Sequence, residues 1–451
     1  MYAENRKQVW SPAGVATGFR ALTDTADRTG CVSERSTNNR LCSSMTTSVI
    51  TRTQMAIDGG RPVRGQPFAP WPHFTRDEIE AVTGVLESGR VNYWTGEHGR
   101  LLEKEYAESV GTKYAIAVAN GSVGLELALY AIGIGPGDEV IVTPRSFVAS
   151  ASCVVMRGAI PIFADVDADS QNLSAEAVAQ VLSQRTKAII VVHLAGWACD
   201  MDSITALAKD HGLKVIEDCA QAHGATYKGR SVGALGTISA FSFCQDKILT
   251  TGGEGGLVCT NDEELWNRAW SFKDHGKSYE AVYKRTHPPG FRFLHESFGT
   301  NWRLTEMQSA LGRVLLRKLP ERVARRRENA AILTSEFLKH SALRVTIPPR
   351  EIGHAYYKYY VFVRPENLKA DWSRDRIMEA INAEGIPCFA GYREMYLEKA
   401  FPAEWRPPQP LPVTQLLGET GLVFLVHSTL SDGDMYDTCR AVEKVMEEAT
   451  R

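Results

Sequence analysis

The strongest constraint on this chain is a rhythm between residues 114 and 260. Short apolar runs at 114–118, 139–142, 160–163, 188–193 and 214–217 read as strands, followed by two more at 239–243 and 256–259. Helical patterns fill the intervals at 124–132, 147–156, 175–182 and 202–211. The strands are apolar on both faces rather than alternating, as in Ala188-Ile189-Ile190-Val191-Val192. Strands covered on both sides and separated by helices imply an α/β fold with a mostly parallel sheet. Such sheets bind ligands at the carboxyl ends of their strands, and the candidate chemistry is sought there.

The flanks read differently. Residues 1–54 are rich in Ser, Thr, Asn and Arg without a sustained period; they are expected to be a disordered or spurious extension, with order beginning near Ile57. Thr75 and Glu78 form a capping-box pair, with Phe74 as a staple to Ile79. Ile79, Val82 and Leu86 form the apolar stripe of that helix, and Gly89 stops it. Residues 101–110 read as a second helix. Residues 271–300 read as a long polar and aromatic loop, and residues 305–340 as a long helix with arginines on its outer face. The expected division is a large domain over 55–340, including that linking helix, and a smaller α+β domain over 341–451. The smaller one has a strand at 357–363 and helices near 375–384 and 432–448.

Composition excludes several classes. The 51 basic and 53 acidic residues leave a net charge of −2, unlike a chain built to coat nucleic acid. The apolar run at 188–192 is far shorter than the roughly 20 residues of a membrane span. Nine cysteines are scattered singly, without a Cys-x-x-Cys pair. They read as reduced thiols of a cytoplasmic protein, and no metal centre is expected.

Four features sit at strand ends. Asn120-Gly121-Ser122 follows the first strand and opens a helix, where backbone N–H groups and a hydroxyl can seat a phosphate. Asp218 ends the buried run Val215-Ile216-Glu217-Asp218. It is either a cap of the following turn or a carboxylate that pairs with a protonated pyridine nitrogen. Lys247 leaves the apolar strand Phe241-Ser242-Phe243 and meets the glycine-rich Gly252-Gly253-Glu254-Gly255-Gly256. Partial burial there makes it a Schiff-base candidate, and Ser242 is a further phosphate contact. Phe147 lies just past a strand end and either stacks on a flat ligand or joins the core.

From Ile57 onward the sequence resembles the DegT/DnrJ/EryC1/StrS sugar aminotransferases. The resemblance rests on Ile134-Gly135-Pro136-Gly137-Asp138-Glu139-Val140-Ile141-Val142, on Glu217-Asp218-Cys219-Ala220-Gln221-Ala222-His223-Gly224-Ala225, on the stretch from Ser242 to Gly256, and on Gly299-Thr300-Asn301-Trp302-Arg303-Leu304-Thr305-Glu306. It implies the fold-type I, aspartate-aminotransferase-like architecture and pyridoxal 5'-phosphate (PLP) as cofactor. By the same resemblance Lys247 forms the internal aldimine and Asp218 holds the pyridine nitrogen. Gln221 lies near the ring and its phenolic oxygen, Gly121, Ser122 and Ser242 hold the phosphate, and Phe147 stacks. Asn301 reaches the phosphate of a neighbouring subunit, which implies a homodimer with shared active sites. His223 matches a position with either a cofactor-side or a supporting role.

The implied reaction transfers an amino group from L-glutamate, or a similar donor, to a nucleotide-linked keto sugar. Lys247 acts as general base and acid in that reaction. Tyr93 and Trp94 (beside Asn92), with Arg292 and His295, are candidate substrate contacts or packing residues. Two departures stand out: an added glycine at Gly252-Gly253, and Cys388 to Tyr396, which lacks the histidine of a Tyr-x-x-x-His substrate segment. The alternatives within the resemblance are a PLP-dependent dehydratase or aromatising aminodehydratase. Outside catalysis, the alternative is a regulatory or binding homologue.

Overall fold

A computed structural model describes residues 54–286 and 293–451. Its main sheet has seven strands, in the order Tyr114–Val118, Gly256–Thr260, Ile238–Ser242, Lys214–Asp218, Thr186–Val192, Glu139–Val142 and Ile160–Phe163. Only Gly256–Thr260 runs antiparallel to its neighbours; the other pairings are parallel. This is the mostly parallel sheet that the apolar runs imply. Side-chain alternation explains why those runs look continuous. Ile189 and Val191 enter the core on one face, and Ala188, Ile190 and Val192 enter the core on the other. Each such fully buried branched side chain contributes about 1.5–3 kcal/mol relative to exposure.

A second, four-stranded antiparallel sheet has the order Leu343–Arg344, Tyr359–Val363, Gly421–Phe424 and Cys388–Ala390. Helices Arg374–Ala383 and Asp432–Ala449 cover it through Ile377, Ile381, Met435, Val442 and Val445. The 32-residue helix Glu306–Phe337 serves both cores. Leu311, Leu315 and, past its midpoint, Val323 enter the core of the main sheet, and its last turns give Leu333 and Phe337 to the core of the second. Among the described residues, no helix is long and apolar enough to cross a membrane.

Three sequence expectations are corrected. The capping box of helix Arg76–Ser88 forms, and Gly89 ends it with φ +67°. Its inward face, however, is Glu78 and Val85, while Ile79 and Leu86 are about half exposed. The cause is ionic: Glu78 lies against the long helix, where Lys318 and Arg322 reach its carboxylate at 3.0 and 2.7 Å. The arginines of the long helix are not all outward, because Arg326 is buried at 1% exposure. The 271–300 stretch is not all loop. Helix Glu263–Lys273 runs into it and Tyr279–Tyr283 forms a short helix.

Glu306 joins two helices. It is the first residue of the long helix and is fully buried. Its carboxylate accepts from the backbone N–H groups of His98 and Gly99 at 2.6 and 2.8 Å. Those donors open helix His98–Val110, whose N-cap Glu97 makes no side-chain cap. Glu306 therefore caps that helix from a distance, and its charge suits the amino-terminal end of the helix dipole. Glu306→Ala leaves one buried and one part-buried backbone donor without a partner. It is expected to lower stability by about 2–4 kcal/mol, read as a lower urea midpoint with an unchanged slope.

Candidate active site

The cluster is assembled at the carboxyl edge of the main sheet. Val118 and Ser242 are both register partners of Gly256, on either side of it. The turn after Val118 and the end of the Ser242 strand are thus brought together. Asn120 caps helix Gly121–Ala131 by accepting from the Val123 N–H at 3.0 Å. The approach is so close that a Cβ on Gly121 would lie 2.6 Å from Ser242 Cβ. A Cβ on Gly256 would lie 2.5 Å from the Asn120 carbonyl carbon. Ser122 is exposed at the mouth of this turn, and Ser242 is 8% exposed. The result is a helix N-terminus flanked by two hydroxyls, a form suited to an anion.

One strand away, Glu217 and Asp218 end the central strand Lys214–Asp218. Adjacent strand residues face opposite ways, and the two carboxylates meet different environments. Glu217 accepts from the N–H groups of Gly233, Leu235 and Gly236 at 2.6–2.7 Å and from His193 Nε2 at 3.0 Å. Burial opposes its charge, but the His193 bond and these amides outweigh it and hold its carboxyl below the usual range. His193 Nδ1 accepts from the Cys199 N–H at 3.0 Å, so Nε2 carries the proton. Cys219 completes a group of three ligand-type side chains within 4.8 Å. Burial pushes its thiol well up, and the other two members are already committed, so the group reads as a hydrogen-bond network.

Asp218 is less well supplied. It is 4% exposed and accepts from Ser150 Oγ at 2.7 Å and the Ala220 N–H at 3.1 Å. Both donors are neutral. Burial raises its carboxyl above the ordinary range in spite of them. A carboxylate in that state accommodates a cationic N–H group.

Gln221 is buried beside it. Its Oε1 accepts from the Ala195 N–H at 2.9 Å, and its Nε2 reaches Tyr392 Oη at 3.4 Å. His223 lies behind Ser242, with Nδ1 2.8 Å from Tyr106 Oη and Nε2 2.8 Å from the Ser242 carbonyl. The carbonyl can only accept, so Nε2 is the protonated nitrogen and Tyr106 donates to Nδ1. His223 supports the strand end. Phe147 is 52% exposed, which rules out the core alternative.

Lys247 has a 13% exposed side chain. Its Nζ is 3.5 Å from Tyr357 Oη and 3.6 Å from Asp246 Oδ1. The added glycine is accommodated in the turn that follows, where Gly252 and Gly253 have φ of +87° and +139°. The Asn301 segment runs beside the Asn120 turn. Trp302 accepts from the Ala119 N–H at 2.8 Å, Arg303 bridges Val118, and Asn301 itself is exposed.

The three described substrate-contact candidates, Tyr93, Trp94 and His295, make their contacts away from Lys247. Tyr93 is 2% exposed, its hydroxyl donates to Glu103 at 3.1 Å, and Lys273 Nζ lies 4.0 Å over its ring. Trp94 packs edge-on to Trp270 with Lys277 Nζ 4.3 Å over its ring. His295 is exposed, with Nδ1 2.9 Å from the His275 carbonyl. Arg292 lies outside the described residues. Sequence reasoning missed Tyr357, Tyr392, Ser150, Trp71 and Arg326. Asp246 alone carried a signal, as an acid adjacent to Lys247.

The arrangement around His223 has an acid consequence. Burial lowers its pKa to about 4, against an ordinary value near 6.5. The unfolded chain takes up the proton first, so this contribution to stability is complete above about pH 6.5 and fades as pH falls toward 4. About 2 kcal/mol is lost by pH 5. Buried His354 and His427, each lowered to about 3, act in the same direction. His223→Gln is therefore expected to show a smaller loss of urea midpoint between pH 7.5 and 5 than the wild type. An equal loss in both proteins contradicts the assignment.

Comparison with known proteins places this geometry. Residues 72–443 match the DegT/DnrJ/EryC1/StrS aminotransferase family. L-glutamine:2-deoxy-scyllo-inosose aminotransferase of Streptoalloteichus tenebrarius is 34% identical, over 87% of this chain and 97% of that protein. GDP-perosamine synthase of Escherichia coli O157:H7 is 34% identical, over 83% of this chain and 96% of that one. The X-ray structure of an aminotransferase from Psychrobacter cryohalolentis superposes with a TM-score of 0.83 at 55% identity, covering 84% of this chain and 99% of that chain. With its mostly parallel sheet and its strand-edge cluster of acid, amide and lysine, the chain belongs to the DegT/DnrJ/EryC1/StrS aminotransferase family, an aminotransferase of the PLP fold-type I architecture.

Proposed function

We propose that this chain uses PLP to move an amino group from L-glutamate, L-glutamine or a similar donor to a keto sugar, carried on a nucleotide diphosphate. The observation that carries the reading is Asp218, a buried carboxylate whose own partners are neutral, at the same sheet edge as a lysine and an anion-binding turn. PLP carries a protonated ring nitrogen, an aldehyde and a phosphate, and this donor set fits all three. When bound, PLP supplies the electron sink that makes the donor's α proton removable.

The chain's residues then have these roles. Asp218 pairs with the ring nitrogen and keeps its proton in place. Gln221, fixed at Oε1 by the Ala195 N–H, presents its Nε2 amide as a donor beside the ring. Gly121, Ser122 and Ser242 take the phosphate at the helix start, and half-exposed Phe147 covers the ring. Lys247 would hold the aldehyde carbon through Nζ, the aldehyde oxygen leaving as water, and, once displaced by the donor's amine, would move the proton as base and then acid.

Asn301 completes the phosphate site of a second subunit, which makes the working form a homodimer. Tyr93 and Trp94 then act by packing the wall on which a sugar nucleotide rests, with exposed His295 near its entrance. Relatives named for an aminated cyclitol and for a GDP-linked amino sugar support a polyhydroxylated ketone as acceptor. The balanced charge and the free cysteines among the described residues favour the cytoplasm, where nucleotide sugars are made.

The test is a visible absorption spectrum of the purified chain with PLP, before and after addition of L-glutamate or L-glutamine. A band near the visible edge is expected to appear with PLP and to fade with the donor, then to recover with a nucleotide keto sugar. Lys247→Ala is expected to lose both the band and turnover. Asp218→Asn is expected to keep the band and lose about 100-fold or more in kcat. No band in the wild type would remove PLP from the reading, and a band unmoved by either donor would remove amino transfer from them.

A further inference from the structure

The free amine of Lys247 is held by a pair of residues outside the family's cofactor set. Tyr357 Oη donates to Asp246 Oδ2 in a short hydrogen bond. The Tyr357 proton is committed there, so its oxygen faces Lys247 as an acceptor, 3.5 Å from Nζ. Asp246 Oδ1 is 3.6 Å from the same nitrogen, and Nζ lies 4.9 Å from the centre of the Tyr357 ring. Burial pushes the Tyr357 phenol well up, so it stays protonated. Burial also works on Asp246, but the Lys247 charge and the Tyr357 hydroxyl outweigh it and hold the carboxyl low.

The pair is itself anchored. Arg326 is 1% exposed, and its Nη1 lies 3.3 Å from the carbonyls of both Tyr356 and Tyr357. Its guanidinium also lies 4.9 Å over the Trp71 ring, and Trp71 Nε1 donates to the Lys247 carbonyl at 3.1 Å. One arginine on the long helix thus sets both the backbone of Lys247 and the backbone of the tyrosine facing its amine. The contacts at Nζ, at 3.5–3.6 Å, are longer than strong hydrogen bonds. They hold the amine without trapping it.

We propose that Asp246 and Tyr357 are positioning residues that hold the Lys247 amine whenever it is not bonded to cofactor, aiming it for proton transfer and for reattachment. The functional part of this inference rests on the PLP reading; the holding of the amine does not. An aminotransferase lysine is released in each half-reaction and must return to the same carbon. A flexible four-carbon stem without a partner would wander. The Asp246–Tyr357 pair supplies that partner, with the acid presenting charge and the phenol presenting a fixed lone pair.

The test measures the amine directly. The full-length protein without added cofactor is treated with formaldehyde and cyanoborohydride, and the methylation rate of Lys247 is followed by peptide mass spectrometry. Lys228, half exposed and paired with Asp202 at 2.6 Å, is the internal control. Tyr357→Phe and Asp246→Asn are each expected to raise the Lys247 rate about threefold or more, as loss of one modest hydrogen bond commands, with Lys228 unchanged. In the PLP-loaded enzyme both are expected to lower kcat about tenfold through misplacement of the amine, with KM for the amino donor little changed. Wild-type Lys247 rates in both variants would overturn the proposal. So would parallel rises at Lys247 and Lys228, which mark general loosening. Labelling changes in a protein that binds no PLP would uphold the holding role and refute the PLP reading, so the two failures are separable.

Discussion

The rest of the site depends on two adjacent carboxylates at the end of one buried strand. Period-two geometry sends Glu217 and Asp218 to opposite sides of the sheet. Glu217 is satisfied there by three amides and His193 Nε2, and it ties down the 233–236 turn before the next strand. Asp218 receives two neutral donors, and burial outweighs them together with the more distant charge of Lys247. Burying a carboxylate this way costs stability unless a ligand supplies the missing charge. The strand end therefore carries a structural acid and a ligand-seeking acid side by side. Ser150, Gly121, Ser242 and Lys247 are arrayed around the second.

The long helix Glu306–Phe337 gives that arrangement its rigidity. Its first residue caps helix His98–Val110, its middle carries Arg326, and its end packs in the core of the second sheet. Arg326 has no carboxylate among its hydrogen-bond partners, and its Nε and Nη2 are unsatisfied. Burial lowers its pKa to about 9. Such a residue is expensive in stability and is retained for what it positions. Here it places Tyr357, from the segment leading into strand Tyr359–Val363, and Trp71, from the amino-terminal segment, onto the two ends of Lys247. Arg145 acts similarly at another corner. Its Nη2 bonds Gln171 Oε1 at 2.7 Å and its Nη1 bonds the Tyr392 carbonyl, so the tyrosine that meets Gln221 is held from behind.

Most of the main sheet was legible because burial on both faces leaves a dense apolar signal. Strands Tyr114–Val118, Glu139–Val142 and Ile160–Phe163 have the bounds that their apolar runs imply. Helix Arg76–Ser88 shows the limit of that reasoning. Its apolar stripe pointed to Ile79 and Leu86, yet the buried face carries Glu78, because the cations that neutralise it lie some 240 residues away. Lys247 and Asp218 were readable because strand ends mark them. Tyr357 was not: residues 356–360 read Tyr-Tyr-Lys-Tyr-Tyr, and nothing local distinguishes the ring that faces Lys247 from the others. Tyr392 was hidden for the same reason. Its role depends on Arg145, 247 residues earlier.

The proposed function gives the Nζ of Lys247, and no other amine of the chain, the bond to the PLP aldehyde. Borohydride reduction of the PLP-loaded protein, followed by peptide mass mapping of the phosphopyridoxyl group, reads that bond. One stoichiometric adduct is expected on the peptide containing Lys247, with Lys358 and Lys273 unmodified. An adduct on another lysine, or substoichiometric label spread over several surface lysines, would remove Lys247 from the role.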